Sequence, residues 1–307
     1  MDILNKTRIF PGFFDSSPQY LWPMRMRNKI KKRLKKVNAF LHSKKKPTVK
    51  TIHVLRLEVK HLEAFLELMT FQNNFGAHRE LPGRLEKLFH EAGRLRTFGL
   101  ETKAIKTITN HNQLIKPTLF LQQLGSFEKK SIQRLRKKRK EYPEFKIRDM
   151  MKHPERKLSS GTCKQFLAAR ASSISDQLNQ DIIADIRSLH QLRKTLKSII
   201  YVLPVCKKIA KPVRLFLRSR KKFIQSVESK IGSLHDTSFF VRLLDKKHTL
   251  IEVGERPALK KIKREWQNDM KRMRKIILPL LPAVRQFALD LKDQLTNDLH
   301  TVRMVSV

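Results

Sequence analysis

The chain has 307 residues, of which 67 are lysine or arginine and 27 are aspartate or glutamate, so its formal net charge is +40. This length fits one large domain or two small ones, and a hydrophobic fraction of 40% is ample for a buried core, so we expect a folded protein. A charge this large repels itself and exceeds what solubility requires, which predicts a polyanionic partner: nucleic acid, an anionic membrane surface or a phosphate polymer.

Signals for targeting and for disulfide bonding are few. No apolar run reaches the roughly 18 to 20 residues of a membrane span, and residues 1–14 lack the apolar region and cleavage site of a signal peptide. We therefore expect a cytoplasmic protein without a membrane span. Cys163 and Cys206 have no CxxC spacing and are interpreted as reduced, packed thiols rather than a disulfide or a metal site.

The predicted secondary structure is entirely helical. Glycine is scarce, β-branched alternation is nearly absent, and apolar residues recur at helical spacing over long segments. Several segments begin at or next to a proline, which suits a first helical turn because the missing N–H costs nothing there. The last helix is expected to kink or break near Pro279 and Pro282. The predicted helices cover residues 18–43, 50–75, 82–109, 117–140, 161–180, 182–210, 212–247 and 257–300.

Two pairs of segments show an internal repeat. Thr51-Ile-His-Val-Leu-Arg-Leu-Glu-Val-Lys60 aligns with Ser188-Leu-His-Gln-Leu-Arg-Lys-Thr-Leu-Lys197, with His, Leu, Arg and Lys at the same offsets. About forty residues further on, Ala92-Gly-Arg-Leu-Arg96 aligns with Ile231-Gly-Ser-Leu-His235. Two ordered matches at nearly one offset indicate a repeat of about 140 residues. They predict an all-α fold of two pseudo-symmetric four-helix bundles packed around a basic central cleft.

The domain boundaries follow from this repeat. A variable N-terminal segment, 1–17, precedes a single domain over 18–300, and a C-terminal tail covers 301–307. Within the domain we call residues 18–141 the first half and residues 161–300 the second half. A mixed stretch with two prolines, 142–160, is interpreted as the connector between them.

The repeated helix carries a basic row and an apolar row on different sides. On a wheel of about 100° per residue, the three basic residues lie within about 60° of each other and the apolar residues cluster roughly 130° away. A merely solvated face has no reason to preserve His-x-x-Arg-x-x-x-Lys in both halves, so we interpret the basic rows as anion-binding. The first triad is His53, Arg56 and Lys60, and the second triad is His190, Arg193 and Lys197.

Phosphate suits such rows because arginine presents a planar fork of donors, lysine a compact charge, and histidine a donor that becomes cationic when phosphate raises its pKa. Related basic rows occur in the fourth and last predicted helices. For these rows a binding face and an ordinary solvated face remain equally open interpretations. The further candidates are Lys130, Arg134 and Lys137, then Arg96, and finally Lys260, Lys263, Arg264, Lys271 and Arg274.

The two triads, each followed by apolar residues at helical spacing, resemble the conserved-histidine helices of the CHAD (conserved histidine, α-helical) family. Ile231-Gly-Ser-Leu-His-Asp236 resembles the downstream Leu-Gly-x-x-Arg-Asp motif of that family. The resemblance covers roughly residues 18–300. It implies two four-helix bundles with a basic central cavity, inorganic polyphosphate as the ligand, no catalysis, and the two triads as ligand contacts. It also extends the expected location to polyphosphate granules in the cytoplasm.

The sequence departs from the family pattern at several positions. Lys60 and Lys197 stand where the family often has arginine, so point charges replace bidentate phosphate contacts. In the downstream motif the first half keeps the arginine but has Thr97 in place of the acid. The second half keeps the acid but has His235 in place of the arginine.

The acidic residues near the triads predict a difference between the halves. Glu63 and Glu67 fall near the basic row of the first triad and are expected to pair with Arg56 or Lys60. The second half has Lys194, and no nearby glutamate is expected on that face. We therefore expect the second half to bind anions more strongly.

Other functions are less well supported by the sequence. An enzyme needs a concentrated acidic or nucleophilic site, and phosphohydrolases need carboxylates for divalent metal; we find neither, so we expect no catalytic residues, no metal and no cofactor. Non-specific DNA or RNA binding through phosphate contacts is the stronger alternative, although aromatics make up only 7% of the chain and no DNA-binding motif occurs. Membrane association through residues 24–36 is a third interpretation, disfavoured because their apolar positions have core spacing.

Overall fold

The computed structural model of the protein describes residues 21–71, 81–150, 159–179, 185–206, 209–246 and 251–304. Every regular element within these ranges is helical, which confirms the predicted all-α class. The α-helices are α1 Leu21–His42, α2 Val49–Phe71, α3 Gly83–His111, α4 Thr118–Glu141, α5 Ile147–Met150, α6 Ser160–Asn179, α7 Ile186–Val202, α8 Lys211–Lys246, α9 Arg256–Ile277 and α10 Leu281–Met304.

Prolines decide where two of the predicted helices end. The predicted break near Pro279 is confirmed, because a 3-10 turn over Leu278–Leu280 separates α9 from α10. The prediction of one helix over 182–210 is wrong at its C-terminal end. That helix, α7, stops at Val202 because Pro204 has no N–H to continue the hydrogen-bond ladder.

Some sequence predictions lie outside the described residues. These are the variable segment 1–17, the middle of the connector at 151–158, and the end of the C-terminal tail at 305–307. Parts of the predicted helices also lie outside, at 18–20, 72–75, 180, 182–184, 207–208 and 247. The connector also contains the short helix α5, which the sequence did not predict.

The apolar rows predicted from helical spacing form the core. One large cluster contains residues of all ten α-helices, and a smaller one joins α3 and α4 to α8 and α9. Both clusters combine residues from the two predicted halves, so the apolar core is shared across the repeat. The division into two pseudo-symmetric bundles stays a prediction. Buried residues of the predicted rows include Leu55, Val59, Leu62 and Leu66 in α2, and Leu192, Leu196 and Ile199 in α7.

Helix α1 packs against the protein with its apolar face. Ile30, Leu34, Val37 and Leu41 are each no more than 4% exposed, as their core spacing predicts. This burial removes the apolar face that an interfacial membrane helix would need. None of the helices in the described ranges is long and apolar enough to cross a membrane.

The two cysteines are buried as predicted and are not joined by a disulfide. Cys163 belongs to α6, and Cys206 follows α7. The neighbouring Cys163 thiol, together with burial, raises the pKa of Cys206 well above its usual range, so this thiol stays protonated and packs as a small apolar group.

The pairing of helices places the functional residues. Helices α2 and α7, which carry the two triads, pack against each other, and each also packs against the helix that follows it, α3 or α8. The basic rows of both halves therefore meet among four helices.

Candidate functional site

A cleft of about 340 Å³ lies among α2, α3, α7 and α8. It is lined by basic side chains from both predicted halves and by two carboxylates, and we call it the basic cleft. Its charged and histidine residues are His53, Arg56, Lys60, Arg96, Arg193, Lys197, Glu228 and Asp236.

The structure brings six of the fifteen predicted site residues together in the basic cleft. All three members of the first triad line the basic cleft, as do Arg96 and two members of the second triad, Arg193 and Lys197. The remaining member, His190, is not among the lining residues; its ring stacks on that of His235, with centroids 4.2 Å apart.

In each half, a glycine leaves space for the guanidinium group of the triad arginine. A Cβ atom added at Gly93 would lie 2.6 Å from Nη1 of Arg56, and one added at Gly232 would lie 2.7 Å from Nη2 of Arg193. Real Cβ atoms essentially never approach a heavy atom so closely. The glycine shared by the two repeated segments therefore makes room for a guanidinium group. The sequence repeat contained this signal, but its role was not assigned from sequence.

The two arginines differ in their remaining partners. Arg56 donates to the backbone oxygen of Phe89 at 3.0 Å, and its guanidinium carbon lies 4.1 Å from the centre of the Phe89 ring. Its buried Nε has no hydrogen-bond partner among the residues that the structure describes. In the other half, Nε of Arg193 donates to Oε1 of Glu228 at 2.8 Å, and Nζ of Lys197 lies 2.9 Å from the same oxygen.

These contacts correct the sequence prediction about the acidic residues. Glu67 does not pair with the first triad; it pairs with Arg170 and accepts a hydrogen bond from the Ser198 hydroxyl at 2.8 Å. Glu63 makes no ion pair within the described part of the chain, although its charge reaches the first triad. The expectation that the second half has no nearby glutamate was wrong, because Glu228 arrives from α8, a helix that is distant in sequence.

The cations of the basic cleft repel one another, which, together with burial, lowers the pKa values of Lys60 and Arg56. Burial, and then the charges of Lys197, Arg56 and Arg193, lower the pKa of Lys60 to about 7. Burial, and then the charge of Arg96, lower the pKa of Arg56 to about 10. Lys60 makes no ion pair with any described side chain. An anion placed among these groups would relieve their repulsion.

The two histidines of the triads are not equivalent. Burial, then the neighbouring His235 and Lys194, lower the pKa of His190 to about 4, so its ring is neutral at pH 7. His53 is exposed and lines the basic cleft. Of the two equivalent histidines, therefore, only His53 faces the basic cleft.

A long ion pair joins the incomplete motifs of the two halves. The first half keeps the arginine of the family pattern and the second half keeps the acid, and these residues lie within 4.0 Å of each other as Arg96 Nη2 and Asp236 Oδ2. What each half lacks is thus supplied by the other half across the cleft.

The predicted basic row of α4 lies outside the basic cleft. Lys130, Arg134 and Lys137 are exposed, and Lys137 lies 3.7 Å from Glu141. Lys137 also lines a separate groove between the C-terminal ends of α1 and α4.

The predicted bases of α9 do not line the basic cleft either. Lys260, Arg264 and Lys271 are exposed, whereas Arg274 is half-buried and Lys263 pairs with an aspartate of α8. The three exposed side chains lie on an outer face of α9 rather than in the wall of the cleft.

Among the described residues, no group of three or more histidine, cysteine, aspartate or glutamate side chains is arranged to hold a metal ion.

Comparison with known proteins identifies the fold. The crystal structure of the CHAD domain from the plant Ricinus communis is similar, with a TM-score of 0.59 and 15% sequence identity over 88% of this chain and 91% of that chain. No protein-family model matches the chain, and no curated protein sequence matches it. An identity of 15% establishes similarity of fold rather than of function. The protein therefore has a CHAD-like fold, in agreement with the resemblance of its two triads to the histidine helices of that family.

Proposed function

We propose that the protein binds inorganic polyphosphate in the basic cleft without catalysing a reaction on it. The observation that carries this proposal is that residues of two separate triads, together with Arg96, line one cleft. Five lysine or arginine side chains face two carboxylates there, so the lining keeps an excess of positive charge. A cleft lined mainly by one sign of charge concentrates the field on an anion.

The shape of the cleft favours a thin polyanion. A volume of about 340 Å³ among four helices admits a short stretch of an unbranched phosphate chain. A nucleic-acid duplex roughly 20 Å wide is too thick to enter such a cleft. The proposed ligand therefore lies between the two halves and contacts the arginine and lysine of both triads.

The proposal is tested by removing the cations that face the cleft. The combined alanine variant of Arg56, Lys60, Arg193 and Lys197 should bind long-chain polyphosphate at least about tenfold more weakly than the natural protein, because each lost contact is charge-assisted. The measurement is a binding isotherm at fixed salt. Metal-dependent release of orthophosphate by the natural protein would contradict the non-catalytic part of the proposal.

A control variant loses the same charge on outer faces. The exposed residues Lys32, Lys35, Lys221 and Lys222 do not line the basic cleft. Their combined alanine variant should lose less than about threefold in affinity. Equal losses in the two variants would reduce the interaction to diffuse charge attraction.

Non-specific nucleic-acid binding is the second candidate function. It is favoured by the exposed bases of α4 and α9, which lie outside the cleft and are accessible to a duplex. A competition experiment between polyphosphate and DNA at fixed salt distinguishes the two candidate functions. DNA that displaces bound polyphosphate at matched phosphate concentration would favour nucleic acid as the ligand.

A further inference from the structure

In both halves of the basic cleft the arginine of the triad lies against a glycine, but the residue that contacts its guanidinium group differs between the halves. Phe89 and Glu228 each stand four residues before the glycine that accommodates the arginine, Gly93 or Gly232. Arg56 therefore lies against an aromatic ring, whereas the arginine of the second half pairs with a carboxylate. At this position of the repeat, an acid occurs in the second half only.

In the second half, the carboxylate of Glu228 already pairs with the two cations that would contact a bound anion. Its Oε1 atom is shared by Nε of Arg193 at 2.8 Å and Nζ of Lys197 at 2.9 Å. Its side chain is only 16% exposed, and those of both cations are 17% exposed. Charge-assisted hydrogen bonds in such sheltered surroundings are stronger than exposed ones, and separating the charges without replacement is costly.

In the first half no described carboxylate forms an ion pair with Arg56 or Lys60, although the charge of Glu63 reaches both. Lys60 makes no ion pair with a described side chain, and Nε of Arg56 has no hydrogen-bond partner there. An incoming phosphate group can pair with the charges of Lys60 and Arg56, which line the cleft, without breaking an existing ion pair. The first half is therefore the easier place for an anion to enter.

We propose that Glu228 is an internal competitor for the anion, so that the second half of the basic cleft accepts only a phosphate chain long enough to displace it. The inference rests on the proposed polyphosphate-binding function and adds a specificity-determining residue to it. A short anion binds in the first half alone. A long chain that is already held there presents further phosphates at high effective concentration and replaces both ion pairs of Glu228. The glutamate side chain can leave by rotation about its own bonds, without movement of α8.

The test compares two ligands with one charge-neutral substitution. In Glu228→Gln, long-chain polyphosphate should bind about tenfold more tightly than in the natural protein, whereas tripolyphosphate should change by less than about threefold. The matched control is Glu252→Gln, which removes one exposed carboxylate outside the cleft and should leave both affinities within about twofold. Circular dichroism and thermal melting verify that the variants fold.

A reciprocal variant tests the same idea in the other half. Phe89→Glu places a carboxylate beside Arg56, and Phe89→Gln removes the ring without adding charge. The glutamate variant should bind tripolyphosphate at least about fivefold more weakly than the glutamine variant. Equal binding by these two variants would contradict the inference, because the added charge would then have no effect.

The outcomes separate this inference from the proposed function. If neither the natural protein nor Glu228→Gln binds long-chain polyphosphate, the proposed function fails and the inference fails with it. If both bind it with equal affinity, polyphosphate binding stands and the internal competitor is rejected. If Glu228→Gln binds long-chain polyphosphate and tripolyphosphate more tightly by the same factor, the internal competitor is also rejected, because Glu228 would then act only through its general negative charge.

Discussion

Two arginines of the basic cleft occupy space that a larger residue than glycine would fill. The neighbouring helix carries Gly93 beside Arg56 and Gly232 beside Arg193. Glycine is unfavourable in a helix interior by about 1 kcal/mol relative to alanine. The two glycines thus reduce helix stability while allowing each guanidinium group to approach the backbone of the next helix.

Substitution of these glycines should affect binding more than stability. In Gly93→Ala or Gly232→Ala, the end of the arginine side chain must move, and the free energy of unfolding should change by less than about 1 kcal/mol. Polyphosphate affinity should fall about fivefold or more, because the arginine no longer points into the cleft. Binding isotherms and urea unfolding measure the two effects. Gly125→Ala on α4 is the control, since nothing lies within 4 Å of its added Cβ; the same loss in this variant would contradict the explanation.

Lys60 should make polyphosphate binding depend on pH. Its pKa is lowered to about 7, by burial first and then by Lys197, Arg56 and Arg193. A bound anion favours the charged form and raises that pKa, so above pH 7 binding requires uptake of a proton. Affinity should be nearly constant below pH 7 and should fall by up to about tenfold per pH unit above it.

The pH dependence is checked by titration calorimetry in buffers with different ionisation enthalpies. Lys60→Arg is the matched variant, because a guanidinium stays protonated across this range. It should bind with little change between pH 6 and pH 9, on the order of twofold. Proton uptake that persists unchanged in this variant would assign the effect to another group.

At the scale of whole helices, a buried carboxylate attaches α1 to α2. Glu58 is 2% exposed and pairs with Arg33 at 2.7 Å and with Lys36 at 2.7 Å. The apolar row of α1 packs in the same interface. A helix with many exposed cations is thus anchored both by its apolar face and by a single acid that pairs with two cations.

Removal of that acid should loosen the contact between α1 and α2. Glu58→Ala leaves Arg33 and Lys36 without their shared partner and should lower the free energy of unfolding by about 2 kcal/mol, as measured by urea denaturation. Glu86→Ala removes an exposed partner of His90 and should change the free energy of unfolding by less than about 0.5 kcal/mol. Similar effects of the two substitutions would mean that the buried pairs contribute no more than an exposed one.

On the scale of the whole molecule, the net charge of +40 opposes the compact state. Exposed cations extend over α1, α4, α8 and α9 and are not matched by acids in number. At an ionic strength of 0.1 M the screening length is about 10 Å, so neighbouring helices still repel each other. A bound polyanion or added salt reduces this repulsion.

Salt should therefore stabilise the protein. An increase in sodium chloride from about 50 mM to about 500 mM should raise the melting temperature by several degrees, because screening reduces self-repulsion in the folded state. Calorimetry measures the shift. A variant with Lys32, Lys35, Lys221 and Lys222 replaced by glutamine should show a smaller shift. A melting temperature that falls with salt would mean that ion pairs outweigh repulsion.

Local sequence pattern predicted the helices and six of the eight charged or histidine residues of the basic cleft. Helical spacing predicted the buried rows of α2 and α7, and the repeat identified Arg56 and Arg193 as equivalent. It also brought Gly93 and Gly232 into alignment. The end of α7 was predicted too far along the chain, although Pro204 was visible, because apolar residues continue beyond it at helical spacing.

The sequence by itself determined the helical class, the basic and apolar faces of each helix and the internal repeat, because these depend on neighbours three or four residues apart. Only the tertiary structure decided that Glu228 pairs with the second triad, that His190 stacks on His235, and that the rows of α4 and α9 lie outside the cleft. Such contacts join residues of different helices. Their partners are fixed by how helices pack, which a periodicity within one helix does not specify.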